Sequence, residues 1–208
     1  MIDAPEVIVP KGQKVLVKGD SGTGKSTLIR AMAGLWPWGS GRILRPKDAR
    51  VAFVPQRPYV PIGTLRRAIL YPAVDRPVAD KKIRQVLERC GLLHLGDRLD
   101  SEEPWDRILS GGEQQRLAFA RLLLDPPDIL IMDEATSALD ELSQERMMQL
   151  LRDELAICTV LSVGHRPGLE VYHDREIVLV RAAGKLHATP LATQPGFIRA
   201  LWRRIARR

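Results

Sequence analysis

The spacing of apolar positions changes several times along the chain, and each change marks a new element. Val15, Leu16 and Val17 sit together within 14–18 and predict a short buried strand. Leu28, Ile29, Met32 and Leu35 then recur at helical spacing, and Trp36-Pro37-Trp38-Gly39-Ser40-Gly41 ends the helix they predict. Residues 51–54 read as another strand. From 58 to 109 prolines and glycines punctuate the chain, while Ile83, Val86, Leu87 and Cys90 follow the i, i+3, i+4, i+7 pattern of an amphipathic helix. This stretch is expected to be a helical insert between two halves of an α/β core. A further helix is predicted over 111–124, stopped by Asp125-Pro126-Pro127. Ile129, Leu130, Ile131 and Met132 form a wholly apolar run, as in a central parallel strand covered on both faces. A helix over 140–155, through Leu142, Met148, Leu151 and Leu155, and strands at 157–163 and 177–180 complete the pattern. Strands alternating with helices imply a mostly parallel sheet with ligands at its carboxyl edge.

Composition changes this picture little. The 208 residues are 45% apolar and 27% charged, ordinary for a globular domain with a sizeable core. No apolar run approaches the ~20 residues that span a bilayer. The first residues lack the basic start and apolar stretch of a secretory signal, so a membrane role is expected to run through a partner. Cys90 and Cys158 stand far apart outside any CxxC pattern and read as two free thiols of a reducing compartment. The formal charge of +7 is compatible with nucleic acid, phosphate ligands or an anionic membrane nearby. Much of it lies in the tail, at Arg199, Arg203, Arg204, Arg207 and Arg208. Phe197, Ile198, Leu201, Trp202 and Ile205 share one helical face there, which suits either a helix on an anionic membrane or a last helix packed on the core.

The chemistry begins at Gly19-Asp20-Ser21-Gly22-Thr23-Gly24-Lys25-Ser26-Thr27. Glycines let backbone N–H groups at a helix start approach phosphate oxygens, and the helix dipole adds to the attraction. Lys25 is expected on the β- and γ-phosphates of a nucleoside triphosphate and the Ser26 hydroxyl on Mg²⁺, with Thr27 assisting at phosphate oxygens. The expected flanking strand and helix are what a real phosphate loop requires.

A second anion site is expected at Leu109-Ser110-Gly111-Gly112-Glu113-Gln114-Gln115-Arg116, where a hydroxyl and unshielded N–H groups open a helix. The same residues fit a capping box, Ser110 with Glu113, and can serve both purposes. One chain cannot easily bring both helix starts to a single terminal phosphate, whereas two chains arranged head to tail can. Asp133 and Glu134 follow the apolar strand, and alternation sends the two side chains in different directions. Gln56 follows the 51–54 strand, Ser137-Ala138-Leu139-Asp140 precedes a helix that Asp140 can cap, and His165 follows another strand.

This ordered set resembles the ATP-binding cassette (ABC) family over roughly 7–180. The resemblance implies an α/β P-loop NTPase (RecA-like) fold: a mostly parallel sheet core, an inserted α-helical subdomain and a shortened N-terminal β-subdomain. It implies one ABC ATP-binding domain over 1–208, with its core at 1–57 and 119–208 and the helical subdomain near 58–118. ATP would lie on Gly19, Asp20, Ser21, Gly22, Thr23, Gly24, Lys25, Ser26 and Thr27, and Mg²⁺ on Ser26, Gln56 and Asp133. Glu134 would be the general base and His165 the switch histidine. Ser110, Gly111, Gly112 and Gln114 would close over the ATP of a partner subunit, with Asp140 in a loop that crosses the dimer interface. The implied partners are a second cassette and a transmembrane permease domain, fused upstream or separate, which would hold the chain at the cytoplasmic face of a membrane.

Longer matches point to a branch. Leu35-Trp36-Pro37-Trp38-Gly39-Ser40-Gly41, Pro55-Gln56-Arg57-Pro58-Tyr59 and Gly164-His165-Arg166-Pro167-Gly168-Leu169 resemble subfamily D, the peroxisomal acyl-CoA transporters, and its bacterial half-transporter relatives. That implies an exporter-type motor with a lipid-like, acyl-CoA, peptide or vitamin-type cargo. Two departures from the pattern stand out: no membrane domain is present, and 1–18 hold no aromatic residue to stack on adenine. Base stacking is worth about 1–3 kcal/mol elsewhere. A truncated cassette with little or no ATPase activity is therefore one alternative. An ABC ATPase acting on nucleic acid is another, although Lys25 and Ser110 are only 85 residues apart, too close for the long coiled coil or tandem cassette of those relatives.

Overall fold

The computed structural model describes residues 6–182 and 185–192. Its centre is a six-stranded sheet in the order β2-β3-β4-β1-β5-β6. The strands are β1 (Lys14–Gly19), β2 (Val51–Val54), β3 (Ile129–Asp133), β4 (Thr159–Val163), β5 (Arg175–Ala182) and β6 (Lys185–Ala192). All neighbouring pairs are parallel except β5 with β6. The helices are α1 (Lys25–Met32), α2 (Leu65–Leu70), α3 (Asp80–Arg89), α4 (Trp105–Ile108), α5 (Gly111–Leu124) and α6 (Glu141–Glu154).

Strand alternation divides the core into two layers. Val15, Val17, Ile131, Val163, Ile177 and Leu179 pack with Ile29 of α1 on one face. Leu16, Leu130, Met132 and Val160 face the other way, onto α5 and α6 through Leu117, Phe119, Met147 and Leu151. That second layer continues without a break into the insert, where Leu65, Ile69, Ile83, Leu87 and Trp105 are buried. Helices α2 and α3 both pack on α5, so the insert hangs from the helix that opens at Ser110. Arg66 fastens it internally, donating to Asp80 at 2.6 Å and Asp100 at 2.8 Å.

The expected α/β class and mostly parallel sheet are what the structure contains. Some local expectations shift. Helix α1 ends at Met32, so Leu35 lies beyond it, 57% exposed. Leu142 faces solvent, 78% exposed, because the buried stripe of α6 runs through Gln144, Met147, Met148 and Leu151. The fourth strand begins at Thr159 rather than 157, and β5 is longer than 177–180 because pairing with β6 extends it. Ahead of β1, residues 6–13 carry a turn and no strand. Among the described residues no helix is long and apolar enough to cross a membrane. The expected tail helix and its arginines lie outside the described residues.

Candidate functional site

Parallel pairing brings the carboxyl ends of β2, β3, β4 and β1 to one edge, and each delivers a residue that the motifs single out. Strand β1 runs into the 19–27 loop. Gly19 is required at its exit: a Cβ there would stand 2.4 Å from the Leu179 carbonyl oxygen, and the residue has φ +144°. The Thr23 hydroxyl donates to the Asp20 carbonyl at 2.8 Å and closes the loop on itself. Lys25 is buried at the start of α1, and its ammonium donates to the carbonyls of Gly19 at 2.8 Å and Asp20 at 2.7 Å. The cation is thereby folded back over the loop.

Asp133 ends β3, 4% exposed. It accepts from the Ser26 hydroxyl at 2.8 Å on Oδ1, and Arg30 of α1 lies 3.6 Å from Oδ2. A buried carboxylate normally needs such partners, because desolvation penalises its charge. A hydroxyl and a carboxylate at contact distance beside the 19–27 loop also form a hard oxygen pair. Mg²⁺ is commonly held by one or two carboxylates with substrate phosphates supplying other ligands, so the residues present fit that ion.

Glu134 turns away from Asp133 as expected, but through a left-handed conformation at φ +51° just past the end of β3 rather than through strand alternation. Among the described residues it is the one non-glycine with positive φ. Its N–H donates to the Val163 carbonyl at 2.9 Å, fixing it to β4. Its carboxylate accepts from the Gln56 amide at 2.8 Å and stands 3.7 Å from His165 Nε2. Backbone strain of this kind concentrates where a side chain must be aimed. Gln56, Glu134 and His165, from three segments, thus meet in one cluster, and Ser26 with Asp133 forms the adjacent one.

The 110–114 segment is built differently. Ser110 caps α5: its hydroxyl accepts from the Glu113 N–H at 3.3 Å, and the Glu113 carboxylate accepts from the Ser110 N–H at 2.9 Å. Hydrogen bonds from Ser110 and His94 hold that carboxyl below its ordinary range, although desolvation, the largest single influence, opposes them. Gln114 turns back and donates to the carbonyls of Asp106 at 2.8 Å and Leu109 at 3.0 Å. Gly111 and Gly112 lie against Ala138, and a Cβ on Gly112 would stand 3.1 Å from the Ala138 carbonyl oxygen. Asp140 caps α6, accepting from the Ser143 N–H and hydroxyl, each at 2.8 Å, and these two bonds hold its carboxyl below its ordinary range. Ser110, Gly111 and Asp140 are exposed.

Two residues escaped the motif reading. Gln115, 1% exposed, hydrogen-bonds Gln56, Ser137 and Ala138. Its signal was available: with Ala118, Phe119 and Leu122 it falls at i, i+3, i+4, i+7 on the buried stripe of α5, where a polar side chain demands an explanation. Arg166 donates to the carbonyls of Thr136, at 3.1 Å, and Leu139, fastening the segment after His165 to the 137–140 loop. Nothing local in the sequence marks that contact.

Comparison with known proteins follows the same lines. A family model described as "ABC transporter" matches residues 2–137. An uncharacterized ABC transporter ATP-binding protein of Haemophilus influenzae is 43% identical over 173 residues, covering 83% of this chain and 29% of that protein. The chloroplastic ABC transporter D family member 2 of Arabidopsis thaliana is 37% identical over 220 residues, covering 82% of this chain and 31% of that protein. Among solved structures, a bacterial Atm1-family ABC exporter with ATP bound superposes with a TM-score of 0.73 at 28% identity, covering 95% of this chain and 37% of that one. The chain therefore spans under a third of the length of these curated relatives.

Proposed function

The chain belongs to the ABC transporter family, and from that premise we propose that it is the ATP-hydrolysing motor of an exporter-type transporter, working as a head-to-tail dimer with two enclosed ATPs. The observation that carries the proposal is the meeting of Ser26 with Asp133, beside Glu134, Gln56 and His165, at the carboxyl edge of the sheet.

In this reading the backbone N–H groups of 19–27 and the start of α1 hold the triphosphate. Lys25 leaves the Gly19 and Asp20 carbonyls and reaches the β- and γ-phosphates. Ser26, Asp133 and Gln56 would hold Mg²⁺, which when bound neutralises charge on the β- and γ-oxygens. Glu134 orients a water in line with the γ-phosphorus and accepts its proton as the new O–P bond forms and the bond to the β–γ bridging oxygen breaks, releasing ADP and phosphate. His165 stands on the other carboxylate oxygen and donates toward the γ-phosphate. Ser110, Gly111, Gly112 and Gln114 close over the partner's ATP, and Asp140 crosses the interface beside them. Residues 1–57 and 119–208 form the nucleotide-handling core, and 58–118 the helical subdomain that follows the transmembrane permease domain.

Support for the transporter setting comes from the relatives, which include D family members and bacterial ATP-binding proteins. The test is Mg²⁺-dependent phosphate release by the purified chain. Lys25→Ala should weaken ATP binding about ten- to hundred-fold through loss of a charge-assisted contact. Unchanged affinity in that variant contradicts the reading.

A further inference from the structure

We propose that Gln115 is the positioning residue that ties this chain's own nucleotide site to the surface it offers its partner's. The inference rests on the function proposed above and adds to it the route by which the two sites sense each other.

The Gln115 side chain uses its amide on three groups in two segments. Nε2 donates to the Gln56 carbonyl at 2.8 Å and to the Ser137 hydroxyl at 3.2 Å, and Oε1 accepts from the Ala138 N–H at 2.9 Å. Both donor hydrogens are therefore in use, and the group is sealed from water, 1% exposed. Gln56 belongs to this chain's own site, where its side chain holds Glu134. Ser137 and Ala138 lie in the loop that ends at Asp140, and Ala138 supports Gly111 and Gly112 from below. Gln115 itself is carried by α5, the helix opened by Ser110.

A shift of the Gln56 main chain therefore has three outcomes: Gln115 follows, the 137–138 loop follows, or a buried amide loses a partner. The last is disfavoured because an unpaired buried polar group bears its full desolvation penalty. An apolar side chain at this phase of α5 would leave the Gln56 carbonyl and the Ala138 N–H without this partner. What the amide provides is a fixed separation between three backbone segments that answer to two different nucleotides.

The decisive experiment uses two near-isosteric variants. Gln115→Met removes all three bonds without adding charge. Gln115→Glu keeps an acceptor for Ala138 N–H and removes both donors. Equilibrium ATP affinity should stay within about two-fold in both, because the phosphate loop is untouched. Turnover should fall about a hundred-fold, the scale of a misplaced catalytic group. Unchanged turnover in either folded variant overturns the inference, as does a parallel fall of affinity and turnover that tracks the melting temperature. If neither variant folds, hydrogen exchange on the unaltered protein decides: ATP should alter protection at 137–138 together with 56–57, and change at 56–57 alone overturns the coupling. A wild-type chain that neither binds nor hydrolyses ATP would instead overturn the site reading, and this inference with it.

Discussion

The 19–27 loop edge and the 110–114 segment both open helices, yet they are finished to different degrees. At the first, side chains from separate parts of the sequence already meet: Ser26 with Asp133, and Gln56 and His165 with Glu134. At the second, the polar groups satisfy one another locally, Ser110 with Glu113 and Asp140 with Ser143. No hydrogen bond joins Ser110 or Asp140 to the first cluster among the described residues. The contrast teaches that polar groups at a helix start can be gathered from distant segments or satisfied within one turn. A capped, exposed helix start fits the second case, and the proposed dimer supplies what it lacks.

The comparison can be broken most forcefully at Glu134. Glu134→Gln keeps an acceptor and a donor at that position but removes the base, so turnover should fall about 10²–10⁴-fold with ATP affinity retained. Single-turnover phosphate release at the wild-type rate would contradict the assignment. The second region is sharpened by Gly112→Ala. Its new Cβ meets the Ala138 carbonyl oxygen at 3.1 Å, so the 137–140 loop or the start of α5 must yield. Turnover should fall about ten-fold or more through misplacement, while ATP binding to the monomer stays unchanged. A matching loss of binding would mean the two regions are not separable.

The smallest effect concerns what supports the first region. His173 is buried between the Leu169 carbonyl, 2.7 Å from Nδ1, and the Ser162 hydroxyl, 2.9 Å from Nε2, and burial lowers its pKa. Above about pH 6.5 the imidazole is neutral in both folded and unfolded chains. Below it, the unfolded chain takes up a proton that the folded chain resists, so stability falls as pH falls. Acidification from about pH 7.5 to 5.5 should lower Tm by about 2–4 °C per kcal/mol lost, and His173→Gln should flatten that slope. An equal slope in the variant would assign the acid sensitivity to other groups.

Much of this site could be read from the chain because its residues sit at strand ends and helix starts, where short-range chemistry fixes their direction. Asp133 and Glu134 diverge where β3 ends and Glu134 takes a left-handed conformation, and Ser110 and Asp140 cap because their side chains reach N–H groups three residues on. The apolar run of β3 likewise announced a strand covered on both faces, and its Leu130, Ile131 and Met132 are buried. What was missed depends on contacts distant in sequence. Helical phase marks Gln115 as buried but not its partner Gln56, and no local pattern marks Arg166, which is defined by Thr136 and Leu139. Leu142 misled for the opposite reason: apolar residues are common on surfaces, and the phase of α6 was set by Gln144 and Met148 instead.

The claim that each chain supplies half of an enclosure is tested most directly by complementation. Lys25→Ala disables one chain's phosphate loop and leaves its Ser110 intact, whereas Ser110→Arg does the reverse at an exposed position. Each variant alone should be nearly inactive. Mixed in equal amounts, they can form one complete site per heterodimer, and a substantial part of the wild-type ATPase rate should return. A mixture no more active than the sum of its parts would contradict the account.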